Sequence, residues 1–167
     1  MAEEYRLKPV RVGLLGLGTV GSGTVTVLHR NADEITRRAG REILIERIAT
    51  RDPARPRPCE TRGIPVTSDA IAVVDDPAIE IVVELIGGVS VARDLVMRAL
   101  ANRKHVVTAN KMLIALHGNE IFAEAGRRGR MVAFEAAVAG GIPIIKALRE
   151  GMAGNKVEWA AGIITGT

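Results

Sequence analysis

Gly16, Gly18 and Gly21 stand at the spacing G-x-G-x-x-G, directly after the apolar run Val10–Leu15. Between a strand and a helix, this spacing serves phosphate chemistry. Gly16 permits a tight turn, Gly18 lets the backbone approach a pyrophosphate, and Gly21 lets helix and strand pack closely. The turn Gly16-Leu17-Gly18-Thr19-Val20-Gly21 would then offer its free N–H groups, aided by the helix dipole, to an anionic cofactor. Without that setting the same spacing is often only a turn. Arg51-Asp52 forms a second candidate, at the end of the next apolar run. An acid at this point binds the ribose hydroxyls of NAD, whereas an arginine favours the 2′-phosphate of NADP. Arg51 comes first, so the pair leans to NADP with dual use open. The plain alternative is an exposed loop arginine.

Three further segments could carry chemistry. Gly87-Gly88, with Ser90 after it, allows a backbone to come close to a cofactor; the plain alternative is a turn. Lys111, after Asn110, could stabilise negative charge developing on a carbonyl oxygen. Its plain alternative is a solvated lysine at a helix start. The stretch Glu135–Pro143 is glycine-rich and exposes carbonyl oxygens, the ligands that hard cations take. From the residues alone the default reading is a strand-to-helix turn with Glu135 as a cap or in a salt bridge. His29, His105 and His117 lack metal-ligand spacing, and no Ser/His/Asp or Cys/His arrangement is recognisable.

Positioning these groups requires strands that alternate with helices. Strands are expected at Val10–Leu15, Glu42–Ala49, Ile79–Leu85, His105–Thr108, Met131–Phe134 and Val157–Ile164. Helices are expected over Thr19 to about Ala39, with Val20, Val25, Val27, Leu28 and Ile35 inward, and over Ser68–Val74, capped by Ser68 or Asp69. Another should run from Ser90, as cap, to about Asn102. The helical region ending at Arg128 should be split by Gly118, and the last helix should start at Pro143 and reach Glu150. Pro53, Pro56 and Pro58 break the stretch 51–62 into a loop. This alternation implies an α/β fold, a doubly wound parallel sheet of Rossmann type. Each candidate then falls at the carboxyl end of a strand, where such sheets bind ligands.

Composition narrows the classes. The 167 residues are 47% hydrophobic but only 2% aromatic, so the core must be aliphatic and base-stacking nucleic-acid modules are disfavoured. The net charge of +4 comes from scattered basic residues with acids among them, which suits a solvated surface more than a nucleic-acid face. The single cysteine, Cys59, permits no internal disulfide and fits a reducing, cytoplasmic compartment. No apolar run nears the ~20 residues of a membrane span.

Taken together, the segments resemble homoserine dehydrogenases: G-L-L-G-L-G-T-V-G at 13–21, A-T-R-D at 49–52, V-V-E-L-I-G-G at 82–88, H-V-V-T-A-N-K at 105–111, F-E-A-A-V-A-G-G-I-P-I-I at 134–145, L-R-E-G-M-A-G-N at 148–155 and G-I-I-T-G-T at 162–167. The resemblance implies an enzyme of threonine, methionine and isoleucine biosynthesis. It would interconvert aspartate semialdehyde, a small-molecule substrate, and homoserine with NADP or NAD. By motif, the glycine turn would hold the pyrophosphate, Arg51 the adenosine ribose or its phosphate, and Gly87, Gly88 and Ser90 the region toward the nicotinamide. Lys111 would sit near the reacting carbonyl. Glu135, Val138, Gly140 and Ile142 would supply oxygens to a monovalent cation, sodium or potassium. Gly166 and Thr167 would begin the substrate wall.

Members of this family are longer than this chain, and their main catalytic residues lie beyond residue 167. The expected organisation is therefore a cofactor domain at 1–141 and the incomplete start of a substrate and dimerisation domain at 142–167, belonging to a homodimeric enzyme and inactive alone. Another Rossmann oxidoreductase or a stand-alone nucleotide-binding module are the competing readings. The sequence T-A-N-K followed by E-A-A-V-A-G-G argues against the first.

Overall fold

A computed structural model describes residues 7–159, 161 and 162. Six strands form one all-parallel sheet in the order β3-β2-β1-β4-β5-β6. They are β1 Val10–Leu15, β2 Ile43–Ala49, β3 Val66–Thr67, β4 Ile81–Glu84, β5 His105–Thr108 and β6 Val132–Ala133. The helices are α1 Thr19–Arg30, α2 Ala32–Ala39, α3 Ala70–Asp75, α4 Ser90–Ala101, α5 Lys111–Arg128 and the short α6 Ile144–Lys146, which widens into a π turn over Ala147–Gly151. The strand order reverses between β1 and β4. That is the topological switch point of the expected doubly wound sheet, where a crevice opens at the carboxyl ends of the strands.

The central strands are apolar because both faces are covered. Leu14 and Leu15 of β1 are both fully buried although they point to opposite faces. On one face α4 packs with Ala92, Leu95, Val96, Ala99 and Leu100, the i, i+3, i+4, i+7 stripe of an amphipathic helix. Each large aliphatic side chain buried here is worth about 1.5–3 kcal/mol. Buried hydrophobic residues are Val, Leu, Ile and Ala throughout, as the scarcity of aromatics requires.

Several boundaries differ from the sequence expectation. The long helix after Thr19 is two helices, because Asn31 (φ −110°, ψ 21°) leaves helical geometry. Its N–H closes α1 on Val27 O, and its carbonyl opens α2 by accepting from Ile35 N. The buried stripe of α1 is Gly21, Ser22 and Val25; Val20 and Val27 are exposed. Gly118 does not split α5, whose burial outweighs the roughly 1 kcal/mol a mid-helix glycine costs. Ser90 is the first residue of α4 and makes no cap; Val89 holds the cap position. Asp69 does cap α3, accepting from Ala72 N at 3.0 Å. The strand β3 was not expected: Pro65 O and Thr67 O accept from Ile48 N and Thr50 N of the β2 edge. Of the expected strand Val157–Ile164, residues 157–159, 161 and 162 have no regular structure, and no strand among the described residues pairs with them. The remaining residues of that stretch, and Gly166 and Thr167, lie outside the described residues.

An ideal Cβ on Gly21 would meet Gly16 O at 2.1 Å, whereas one on Gly126, in α5, would meet nothing within 4 Å. Gly21→Ala is therefore expected to destabilise the chain by about 1–3 kcal/mol. Gly126→Ala should stabilise it by about 0.5–1 kcal/mol. Urea unfolding of the two variants beside the parent chain checks both signs.

Candidate functional site

The glycine turn joins β1 to α1, and each glycine in it answers a different constraint. Gly16 has φ +98°, and a Cβ there would lie 2.7 Å from Leu85 O. Its N–H donates to Ala49 O at 2.8 Å, while Leu85 N donates to Leu15 O at 2.8 Å. The ends of β2, β1 and β4 are thereby held together at one point. Gly21 lies against Gly16 O, which lets α1 start immediately beyond the strand. A Cβ on Gly18 would meet nothing within 4 Å, so this glycine is open toward the crevice. Thr19 and Val20 are exposed in the first turn of α1, where N–H groups lack intrahelical acceptors. Leu17 is 2% exposed and packs with Leu14, Val25 and Ile48. It can reach a ligand only through its backbone.

A cleft of about 530 Å³ opens beside this turn. Leu17, Gly18, Thr19 and Ser22 form one wall, and the proline-rich loop after β2 forms the other with Arg55 and Arg57. Ser22 Oγ is buried without a hydrogen-bond partner among the described residues. An open glycine, a helix N-terminus, an orphan hydroxyl and two guanidiniums suit a phosphate-bearing ligand. Arg51 is exposed beyond β2 and is not part of this wall. The arginines that do line it lay within a loop whose path no local periodicity could trace; their only signal was their repeated charge between prolines.

The second half of the site is a buried polar cluster at the ends of β4 and β5. Glu84 is wholly buried. Its Oε1 accepts from Ile86 N at 2.8 Å and its Oε2 from Thr108 Oγ1 at 2.5 Å. Thr108 Oγ1 accepts from Asn110 N at 3.0 Å. Asn110 in turn caps α5 through Leu113 N at 3.1 Å and donates from Nδ2 to Gly88 O at 2.7 Å. This chain of bonds ties the Gly87-Gly88 loop, where Gly88 has φ +87°, to the start of α5. Lys111, exposed as the first residue of α5, is thus brought beside that loop. Ser90 is exposed and follows it. The carboxylate in V-V-E-L-I-G-G was legible as an acid within an apolar strand, yet its side-chain partner Thr108 comes from another strand 24 residues away.

Around the third glycine-rich stretch, Glu135 spends its carboxylate on Ile145 N and Lys146 N at 2.9 and 2.8 Å. It caps α6, the plain alternative weighed above. Ala139 and Gly140 both have positive φ, 54° and 60°. Ile142 O accepts from Ile144 N at 2.8 Å. Among the described residues, no cluster of three or more His, Cys, Asp or Glu side chains could hold a metal ion, so a cation at this turn would need main-chain oxygens. No helix among the described residues is long and apolar enough to cross a membrane.

A family model described as the homoserine dehydrogenase NAD binding domain matches residues 16–135. The chain is 60% identical over 162 residues to a homoserine dehydrogenase of Pseudomonas aeruginosa, covering 96% of this chain and 37% of that protein. A Methylobacillus glycogenes homoserine dehydrogenase is 52% identical over 161 residues, covering 96% and 39%. Among solved structures, a homoserine dehydrogenase from Thiobacillus denitrificans superposes with a TM-score of 0.82 at 62% identity, covering 90% of this chain and 35% of that one. The chain spans little more than a third of the length of these relatives.

Burial pushes the Glu84 carboxyl above its ordinary value of 4.5, while the Thr108, Ile86 and Asn110 hydrogen bonds pull it back only in part. The fold therefore holds this proton more tightly than the unfolded chain does. The resulting stability is full below 4.5 and is lost as pH rises through the higher folded value. Glu84→Gln keeps an acceptor for Ile86 N and a donor for Thr108 without ionising. Thermal melts across pH 4 to 8 should show a shallower decline for this variant than for the parent. Parallel curves would refute the assignment.

Proposed function

The chain belongs to the homoserine dehydrogenase family, and from that premise we propose that it supplies the cofactor half of an enzyme interconverting L-aspartate 4-semialdehyde and L-homoserine. The observation that carries this is the turn between β1 and α1. Of the three motif glycines, Gly16 and Gly21 are filled against backbone and Gly18 stands open to the cleft. Bound there, NADPH or NADH supplies the hydride. The backbone from Gly16 to Gly21 holds the pyrophosphate, and Arg51 stands near the adenosine half. The loop Gly87-Gly88 and Ser90 line the way to the nicotinamide. The polar cluster of Glu84, Thr108 and Asn110 fixes this loop and the first turn of α5. Lys111 thereby acts as a supporting catalytic residue, its ammonium facing negative charge that develops on the carbonyl oxygen.

The turn 135–142 is assigned to a monovalent cation, sodium or potassium, through main-chain oxygens at Glu135, Val138, Gly140 and Ile142. The donor chemistry supports two of the four: the Val138 and Gly140 carbonyls accept no backbone hydrogen bond among the described residues, while Glu135 O and Ile142 O already accept from Val138 N and Ile144 N and would share their second lone pair. The cofactor domain takes residues 1–141, and 142–167 begin the substrate domain, with Gly166 and Thr167 at its pocket. The end of the sheet at Ala133 supports that division. The whole protein is then a cytoplasmic homodimer in threonine, methionine and isoleucine biosynthesis, acting on a small molecule without nucleic-acid or membrane partners.

Hydride transfer needs both reactants at near-attack geometry, and the remaining length of the family's chains supplies the other wall. The 167-residue chain should therefore bind reduced cofactor without oxidising it when aspartate semialdehyde is added. Gly18→Ala places a methyl group where the phosphate must approach but where the fold has room. It should keep the unfolding midpoint while weakening cofactor binding at least about tenfold, since the loss of a well-placed charge-assisted contact is of that order. Nicotinamide fluorescence titrations and urea melts of the same samples check this. Undiminished binding by Gly18→Ala, or turnover by the parent chain, would contradict the proposal.

A further inference from the structure

The outer wall of the cleft carries charge that the glycine turn does not explain. Arg55 and Arg57 line it, and no carboxylate does. The Arg57 guanidinium is anchored. Its Nη2 donates to Thr50 Oγ1 at 3.1 Å and to Asp52 O at 3.0 Å. Both acceptors lie just past β2, the place where such a sheet receives the adenosine ribose. Its Nη1 has no hydrogen-bond partner among the described residues, so the group keeps one nitrogen with donor capacity to spare. Asp52, the acid that could have received ribose hydroxyls, turns its carboxylate to Ala54 N and Arg55 N, both at 3.2 Å. That Asx turn shapes the loop bearing the two arginines. Arg51 makes no side-chain hydrogen bond among the described residues and lies outside the cleft wall.

We propose that Arg57, with Arg55 beside it, reads a phosphate monoester on the adenosine ribose. The site thereby selects the 2′-phosphorylated dinucleotide, and Arg51 is not the selecting residue. This rests on the cofactor-binding reading above. A guanidinium donates charge-assisted N–H bonds, here from the unpaired Nη1, to phosphate oxygens. One already fastened to Thr50 and Asp52 has less rotamer freedom to lose on binding. An unphosphorylated ribose offers this cation only a neutral diol, and no carboxylate lines the cleft to receive its hydroxyls.

The purified chain is titrated with NADPH and NADH, and with adenosine 2′,5′-bisphosphate against 5′-AMP to isolate the adenosine half. The parent should prefer the 2′-phosphorylated member of each pair. Arg57→Ala should weaken NADPH about 10- to 100-fold, the usual worth of charge-assisted hydrogen bonds, and leave NADH within about twofold. Arg57→Lys should fall between, because it keeps the charge and loses the guanidinium that is anchored to Thr50 and Asp52. Arg51→Ala should keep the preference. NADH binding doubles as the folding control for each variant. Equal loss of both cofactors in Arg57→Ala overturns the proposal in favour of mere loop support. Loss of preference in Arg51→Ala overturns it too, as does a parent chain without preference. A parent that binds neither cofactor overturns the cofactor-site reading itself.

Discussion

A carbonyl oxygen occupies the place where residue 21 would carry a side chain. The near-contact of α1 with Gly16 O is the constraint from which the rest of the site follows. It lets the helix begin without a connecting loop, so its unsatisfied N–H groups and positive dipole end face the crevice between β1 and β4. The same turn binds the neighbouring strands, through Gly16 N to Ala49 O on one side and Leu85 N to Leu15 O on the other. A displacement of α1 would therefore disturb three strand ends together. That coupling explains how an exposed, side-chain-poor turn can hold the geometry needed to cradle phosphates.

The other half of the crevice is fixed by different means. Here a buried carboxylate, costly by itself, is surrounded by donors from Thr108 and the Ile86 backbone. The network continues through Asn110 to Gly88 O and the cap of α5. An acid between two central strands contributes direction more than stability. It orients a flexible glycine pair that has no side chains of its own to pack. The lysine at the start of α5 inherits its position from this arrangement.

Around the mouth, charge takes over. Asp52 shapes its own loop through Oδ1, and the loop then sets two arginines opposite the helix N-terminus. Favourable potential for an anion thus comes from both walls, with low-dielectric aliphatic packing behind one of them. Past the end of the sheet, Ile142, Met152 and Trp159 are exposed.

The sequence by itself determined the elements whose cause is local. Runs rich in Val, Leu and Ile marked β1, β2 and β5 because both faces of a parallel sheet are largely dry, and the glycine spacing marked the turn because only glycine tolerates its contacts. Alternation of strand and helix then specified the doubly wound class, and the ordered motifs specified the family. Tertiary structure decided what depends on partners far along the chain. It divided the first long helix at Asn31, kept α5 continuous through Gly118, and added β3, whose two residues are too few to show a period. It left residues 157–159 without a strand to join. It also gave Glu84 its hydrogen-bonding neighbours and moved the cleft's charge from Arg51 to Arg55 and Arg57. Periodicity reports which way a residue faces within its own element, whereas the course of a proline-broken loop and the partners of a buried acid are settled only when distant segments compete for the same space.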